Sequence, residues 1–383
     1  MAMGLYIHIP FCPQQCPYCV FSVVTGQRRF HQRYIEAVCT EIEMRQSEYA
    51  NQFTTVFFGG GTPSHVPVHC LSQILEMADK SCGVRWDGEI SVEANPGAND
   101  VLKYGQLREA GFNRISIGVQ SFCDTSLKQL GRIHSGGDAI AAFTAARMAG
   151  FDNINLDVIF SIPGVPRSDL YHTLETIERL SPEHVSAYSL TVEEGSTLEN
   201  RVMSGRIVPN NEDEDAAQYS EVIERLSAIG YEQYEVSNFA KPGYRCQHNW
   251  SHWCHEDFVG IGLSAHSYLR GIRSWNEKKL KEYINRLERG QSVRIEEERI
   301  DSSTKSLERL LLRLRTKDGI PLTKSERVKL REELNDDYMI KAGFIELTES
   351  HLRLTTQGMP MADAISVAMI DTFKRSVSVC VSR

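Results

Sequence analysis

The chain lacks any apolar run long enough to cross a bilayer, so an integral membrane protein is not expected. Its opening residues, MAMGLYIHIP, hold no basic segment followed by an apolar one. No secretory signal is therefore predicted, and the cytoplasm is the expected location. A basic excess is missing as well: 42 Lys and Arg stand against 50 Asp and Glu, for a net charge of −8. That balance argues against nucleic acid as a main partner. The ten cysteines are unevenly spread, with three crowded near the front and the rest scattered. Small secreted disulfide scaffolds do not look like this, and a reducing compartment fits better. Low-complexity tracts are absent, and the only repetition is a rhythm of strands and helices. What remains is an ordinary globular composition, 41% hydrophobic and 24% charged. Its 383 residues suffice for one large α/β domain with a small appendage.

Six brief runs rich in Val, Ile, Tyr and Phe read as strands: GLYIHIP, TTVFFGGG, EISVEANP, RISIGVQSF, NINLDVIFSIPG and HVSAYSLTV. Between and after them lie helical stripes: Phe30, Tyr34, Val38 and Ile42; Leu71, Ile74, Leu75 and Ala78; Tyr219, Val222, Ile223 and Leu226. Strands that alternate with helices pair in parallel through right-handed crossovers. The expected fold class is α/β, a partial (β/α)6 TIM-like barrel over residues 1–290. Residues 291–383 are expected to form a small α+β winged-helix-like domain. There, KSLERLLLRLRTKDGI reads as a helix ended by Gly319, and Phe344 to Leu347 is expected to pair with Leu352 to Thr355. The acidic run Glu296, Glu297, Glu298 reads as a solvated linker or helix start. A winged unit often reads DNA, but the acidic balance favours a lid or partner-docking role.

In a parallel barrel the reactive residues gather where strands end. Each of the six runs ends on something unusual, and the first leads into Cys12, Cys16 and Cys19. Their C-x-x-x-C-x-x-C spacing suits three corners of a 4Fe-4S cluster and leaves the fourth iron open to a ligand. A zinc site completed by a distant Cys or His, or a set of free thiols, is the plainer alternative. Pro13 and Pro17 stiffen this loop, and Tyr18 is placed to shield a cluster from water. GGGTP, from Gly59 to Pro63, is expected to expose backbone N–H groups to a carboxylate or to the amino-acid end of a cofactor. Glu93 and Gln120 offer polar contacts, and Asp157 is a carboxylate in an apolar strand for which Arg132 is a candidate partner. Each of these polar groups could equally be structural.

The cysteine spacing, with an aromatic before the last Cys, resembles the radical S-adenosylmethionine superfamily. The resemblance implies a 4Fe-4S cluster on Cys12, Cys16 and Cys19. It also implies S-adenosylmethionine bound at the open iron and cleaved by one electron to a 5′-deoxyadenosyl radical. Within the superfamily, the order YIHIPFC, FFGGGTPS, VEANP, RISIGVQSF, LGRIHS, NLDVIFSIPG and HVSAYSLTVEEGS resembles one subgroup over essentially the whole chain. That subgroup contains oxygen-independent coproporphyrinogen III oxidase and related heme chaperones. By that resemblance Tyr6, Gly60, Gly61, Thr62, Glu93, Gln120, Arg132 and Asp157 take the S-adenosylmethionine positions.

Two features favour the chaperone over the porphyrin-biosynthetic oxidase. Val20 and Phe21 follow Cys19 where the oxidase carries a further Cys, and the first strand begins at Gly4 without the oxidase's preceding segment. HNWSHW, from His248 to Trp253, resembles the H-N-x-x-Y-W motif of the chaperones, with His252 in the tyrosine position. His248, Asn249 and Trp253 are then the expected heme contacts, since imidazole ligates heme iron and indole packs on a porphyrin. The resemblance implies heme and heme-accepting proteins such as respiratory enzymes as partners; the alternative function is oxidative decarboxylation of coproporphyrinogen III. Read without it, Cys246, His248, His252, Cys254 and His255 could hold zinc, or His and Trp could simply pack beneath the barrel. Cys39, Cys70, Cys82, Cys123 and Cys380 read as ordinary apolar thiols. Catalytic residues and oligomeric state are not legible.

Overall fold

The computed structural model describes residues 3–49, 52–97 and 100–377; Cys380 lies outside them. The six expected strands all form: β1 (Gly4–Ile9), β2 (Phe53–Gly60), β3 (Val84–Ala94), β4 (Arg114–Gln120), β5 (Ile154–Phe160) and β6 (His184–Ser189). They pair in parallel in chain order. The crossovers are helical, with α1 (His31–Met44), α2 (Val68–Cys82), α3 (Asp100–Glu109), α4 (Gly136–Met148) and α5 (Arg167–Leu180) between successive strands. A sixth helix, α6 (Glu212–Ala228), follows β6.

Side chains of a strand point alternately to opposite faces, and here the two rows differ in chemistry. Leu5, Ile7, Ile9, Val56, Phe58, Ile90, Val92, Ile115, Ile117, Leu156 and Val185 are all fully buried in one apolar core with Tyr34, Ile35, Leu71 and Ile74 of the helices. Burying each such side chain contributes on the order of 2 kcal/mol. The other row is largely polar: His8, Ser91, Glu93, Ser116, Asn155, Asp157, His184 and Ser186. Several of these bond across strands, as Asn155 does to Ser116 and His184 to Asn155. One row therefore holds the helices in place, and the other lines the inside of the barrel.

The sheet stays open. Twelve strands lie in one order, with a further parallel strand, β8 (Phe258–Ile261), on the far side of β1. Beyond it run antiparallel β9 (His266–Leu269), β10 (Ile272–Asn276) and β11 (Arg294–Arg299). Toward the other edge a short β7 (Asn238–Ala240) pairs antiparallel with β6, and Glu232–Gln233 forms the edge itself. Glu296, Glu297 and Glu298 are thus neither linker nor helix start but lie in β11, exposed at the sheet edge. Edge strands bearing charge resist further pairing, which accounts for an acidic strand. The large sheet accordingly runs past the expected boundary after residue 290.

The helix α7 (Gln247–Trp253) lies beneath the barrel, at the N-terminal ends of β1 and β2. A Cβ built on Gly4 would come within 3.3 Å of the His248 ring. Glu89 of β3 fixes this helix by accepting from the backbone N–H of Gln247 at 2.8 Å and of His248 at 3.1 Å, and from the Cys246 thiol. A carboxylate at the first turn of a helix meets its unpaired N–H groups directly.

The small domain has its own core of Leu310, Leu314, Ile320, Leu330, Ile345 and Leu352. The wing pairs Ile345–Leu347 with His351–Leu354, and Ile320–Pro321 adds a third strand. The helix expected to reach Gly319 stops earlier: α8 (Ser302–Arg313) is capped by Asp301. Thr316 then turns the chain, donating from its hydroxyl to the Arg313 carbonyl and accepting from the Gly319 N–H. Among the described residues no helix is long and apolar enough to cross a membrane.

Candidate functional site

A cavity of about 390 Å³ opens at the C-terminal ends of the barrel strands. Each of β1 to β6 sends residues to it: Cys12, Cys16 and Cys19 from the loop after β1, Gly60 to Thr62 from the end of β2 and its turn, and Glu93 to Asn95 from the end of β3. Gly118 and Gln120 of β4, Asp157 of β5, and Tyr188 to Thr191 of β6 and its loop complete the wall, with Arg132. Ten of the expected cluster and S-adenosylmethionine positions thus meet in one chamber: Cys12, Cys16, Cys19, Gly60, Gly61, Thr62, Glu93, Gln120, Arg132 and Asp157. Tyr6 does not line it. Tyr6 sits below the chamber, hydrogen-bonded at 3.1 Å to His8 Nδ1, while His8 Nε2 donates to the Ser22 carbonyl.

The cysteine loop is fastened on both sides. Gly61 N–H donates to the Ile9 carbonyl and Thr62 N–H to the Phe11 carbonyl, each at 2.9 Å. A Cβ on Gly61 would lie 2.6 Å from the Pro10 carbonyl oxygen, so only glycine allows this approach. These bonds correct the expectation of free N–H groups in GGGTP. Gly60 N–H donates to Glu93, and the next two are spent on the cysteine loop, because the turn extends the pairing of β1 with β2. On the other side Arg132 reaches Cys16 Sγ at 3.5 Å, the Gly118 carbonyl at 2.9 Å and the Asn95 side chain. Asn95 donates to Thr62 Oγ1 at 2.7 Å, and Thr62 lies 3.3 Å from Cys12 Sγ. One network thus links two of the three thiols through Arg132, Asn95 and Thr62.

Arg132 is therefore not the partner of Asp157. Asp157 accepts from Ser116 at 3.0 Å and Asn155 at 2.7 Å, and the cation that acts on it is Arg114. Residues on adjacent strands outcompete one from a distant loop. Burial nonetheless pushes the Asp157 carboxyl up. Burial and the nearby Asp157 charge lift Glu93 to about 8. Two carboxylates held against their ionised forms favour a cationic guest, whose charge replaces the missing solvation. The Cys19 thiol is also pushed up, mainly by burial, with Cys16 and Cys12 adding to it. A metal that binds these sulfurs must displace their protons.

Among the described residues no three His, Cys, Asp or Glu side chains converge on a point that would hold a single metal ion. The plain zinc readings lose their basis, both for the front cysteines and for the 246–255 segment. There, Cys246 is tied to Glu89 and Cys254 to Arg313. A cubane is different, since each thiolate takes its own iron corner and the cysteines must surround the cluster.

His248, Asn249 and Trp253 stand apart from the chamber, on α7 at the opposite end of the strands. His248 is 1% exposed, bonded through Nδ1 to Thr55 at 3.0 Å, and stacked on Phe57 with ring centroids 5.2 Å apart. Its Nε2 has no partner, and burial holds its pKa well below the usual imidazole range. Trp253 faces Arg315 of the small domain. Asn95 and Gly118 were missed in the sequence. Asn95 stands two residues after Glu93 in VEANP, on the same face of the strand end, and that spacing was the available signal.

Open parallel strands delivering their loops to one thiol-lined chamber are the architecture of the radical S-adenosylmethionine superfamily, whose family model matches residues 6–177. The HemN C-terminal domain matches residues 300–361. The chain belongs to the heme chaperone HemW family. It is 34% identical over 374 residues to the heme chaperone HemW of Bacillus subtilis (strain 168), covering 95% of this chain and 98% of that one. Against the HemW of Mycobacterium tuberculosis (strain ATCC 25618 / H37Rv) identity is 34%, over 94% and 93% of the two chains. Against that of Escherichia coli (strain K12) it is 37%, over 69% of each. Among solved structures, coproporphyrinogen III oxidase (HemN) from Escherichia coli, a radical SAM enzyme, superposes with a TM-score of 0.82 at 20% identity, over 99% of this chain and 91% of that one. That similarity is one of fold.

Proposed function

We propose that the protein is a cytoplasmic heme carrier that binds heme and hands it to acceptor hemoproteins, with a 4Fe-4S cluster and S-adenosylmethionine at the barrel rim. The observation that carries this reading is the single chamber where three cysteines, an arginine-asparagine clamp and two raised carboxylates meet. Full-length similarity to heme chaperones supports it.

In this reading Cys12, Cys16 and Cys19 hold the cluster. Arg132 sets its charge beside Cys16 and, through Asn95 and Thr62, steadies the Cys12 sulfur. Glu93, Asp157 and Gln120 receive the cationic and hydroxyl groups of the cofactor, against the flat glycine surface of Gly60 and Gly61. Tyr18 and the loop after β6 limit water. When bound, cluster and cofactor together supply one-electron reductive cleavage of a sulfonium. Heme is cargo in this reading, carried at the α7 segment.

The test is anaerobic reconstitution with iron and sulfide, followed by addition of hemin, S-adenosylmethionine, or both. Expected are a brown protein with iron and sulfide in cluster proportion, a Soret band shifted on binding, and transfer of heme to an apo-hemoprotein. Coproporphyrinogen III under the same conditions should give no protoporphyrinogen. A zinc-loaded or iron-free product with unligated thiols refutes the reading.

A further inference from the structure

Cys12 lines two cavities, the rim chamber and a smaller one of about 140 Å³ that it shares with Gln27, Arg28, His31 and His65. No other residue is common to both. Phe11 and Cys12 pair in parallel with Val24 and Thr25, and this pairing carries the chain from the cysteine loop to Gln27, Arg28 and the start of α1. We propose that the smaller cavity is a binding site for a phosphate-type oxyanion, held by Arg28, His31 and His65. The site does not depend on the heme-carrier reading; only its consequence for a cluster rests on that reading.

The lining is cationic and unopposed. No Asp or Glu lines the cavity, and Arg28 enters no ion pair among the described residues. Ahead of Glu36 the chain carries no acid at all, yet it places Arg28, Arg29 and Arg33 there. In a protein of net charge −8 that is a local reversal of sign. His31 and His65 stand with ring centroids 6.0 Å apart. Both are held below the usual imidazole range, first by burial and then by cations: His65 and Arg28 act on His31, and Arg28 and Lys103 on His65. Lys103 is itself paired with Asp100 at 3.9 Å. Like charges around one space repel, and an anion placed among them removes that cost.

The donors are also unspent. Among the described residues the side chains of Gln27, Arg28, His31 and His65 make no hydrogen bond, and His31 is placed by its ring contact with Phe11, 4.2 Å between centroids. Guanidinium and imidazole N–H groups form short, charge-assisted bonds to phosphate oxygens, and a neutral imidazole still donates from one nitrogen. A wider depression of about 380 Å³ shares Val24 and Gln27 with the cavity and adds Phe30, Leu280, Lys279 and Lys281. Its single acid, Glu282, is paired with Arg286 at 3.4 Å. The ligand class is therefore a phosphate, either free or as a monoester whose organic part lies along that depression. An anion here sits beside Cys12, and negative charge near a cluster opposes uptake of an electron. Occupancy of the cavity would hold a cluster on Cys12 oxidised.

Inorganic phosphate is titrated calorimetrically into the full chain, both cluster-free under reducing conditions and reconstituted, at constant chloride. Wild type is compared with Arg28→Gln, His65→Gln and Arg179→Gln, the last an exposed arginine of α5, and circular dichroism reports folding. Arg179→Gln should bind as wild type does, and Arg28→Gln and His65→Gln about tenfold or more weakly. Phenyl phosphate distinguishes the two sources. Binding tighter than phosphate that Lys279→Gln weakens assigns a monoester, and binding no tighter assigns the free ion. Absence of phosphate binding by the wild type overturns the site, as does wild-type affinity in both folded Arg28→Gln and His65→Gln. In the reconstituted chain an electrochemical titration should find the cluster at a more negative potential with phosphate than without, in wild type and not in Arg28→Gln; an unmoved potential with phosphate bound overturns the coupling to Cys12. If no cluster forms, the heme-carrier reading fails, while calorimetry on the cluster-free chain still decides the anion site.

Discussion

Glu93 gives the sharpest quantitative handle on the chamber. Its carboxyl rises from 4.5 to about 8 because burial, and then the Asp157 charge, oppose ionisation. A carboxyl with a raised folded pKa stabilises the fold fully below its unfolded value and loses that contribution as pH climbs to the folded one. The window therefore runs from about pH 4.5 to about pH 8. Across it a dry site would lose roughly 5 kcal/mol. Glu93 lines a cavity large enough for water, so roughly 2–3 kcal/mol is the figure to test. Glu93→Gln keeps an acceptor for the Gly60 N–H and never ionises. In urea denaturation of the cluster-free chain under reducing conditions, the two proteins should be nearly equal at about pH 4. By about pH 9 the variant should be more stable by that amount. Taking the difference between the proteins cancels titrations not coupled to Glu93, such as that of Glu235, which burial lifts to about 7. A difference flat with pH, or one that narrows as pH rises, refutes the reasoning. Binding of S-adenosylmethionine supplies the complementary readout: a cation favours ionised Glu93, so wild-type affinity should rise with pH through this window, and the variant should lose both affinity and slope.

Gly61→Ala places a methyl group 2.6 Å from the Pro10 oxygen and 2.8 Å from the Phe11 oxygen, both backbone. It should cost about 1–3 kcal/mol and lower the iron content after reconstitution, measured by denaturation and metal analysis. Glu89→Ala strips the acceptor from two N–H groups and the Cys246 thiol at the start of α7. The expected loss is about 2–3 kcal/mol with weakened hemin binding and unchanged cluster absorbance, which separates the base of the barrel from its rim.

The strands and the rim were legible because both leave local signals. Each strand is a short β-branched or aromatic run closed by Gly, Pro or a polar turn, and a parallel barrel must put those closures on one side. Glu93, Gln120 and Asp157 could be assigned to the rim on that ground alone. Their partners could not. That Asp157 meets Ser116 and Asn155 depends on the register of β4 and β5 and on Asn155 standing two residues away on the same face. The amides of Gly60, Gly61 and Thr62 look free in a sequence, and only the return of the cysteine loop over them shows them spent. The acidic β11 was hidden for another reason: glutamate disfavours strands, and its place at an exposed edge overrides that preference.

The position of α7 bears on what the radical chemistry would be for. His248 lies beside Gly4, whereas Cys12 follows the other end of β1, and the strand between spans roughly 16 Å at the usual rise. Tyr6 and Phe57 fill the interior between them, stacked with ring centroids 6.3 Å apart. A tetrapyrrole at α7 would therefore be out of contact with any group in the rim chamber, and hydrogen abstraction requires contact. Heme at the base and sulfonium chemistry at the rim would communicate through that packed interior or through the small domain, whose Arg315 faces Trp253 of α7. In that arrangement cofactor occupancy would act as a signal for holding or releasing heme. It predicts equal, reciprocal effects: whatever factor S-adenosylmethionine imposes on hemin affinity, hemin must impose on S-adenosylmethionine affinity. Titrations of each ligand with and without the other measure that factor. A factor of one in both directions, with both ligands bound, would leave the two ends of the barrel independent and remove the link between cluster and cargo.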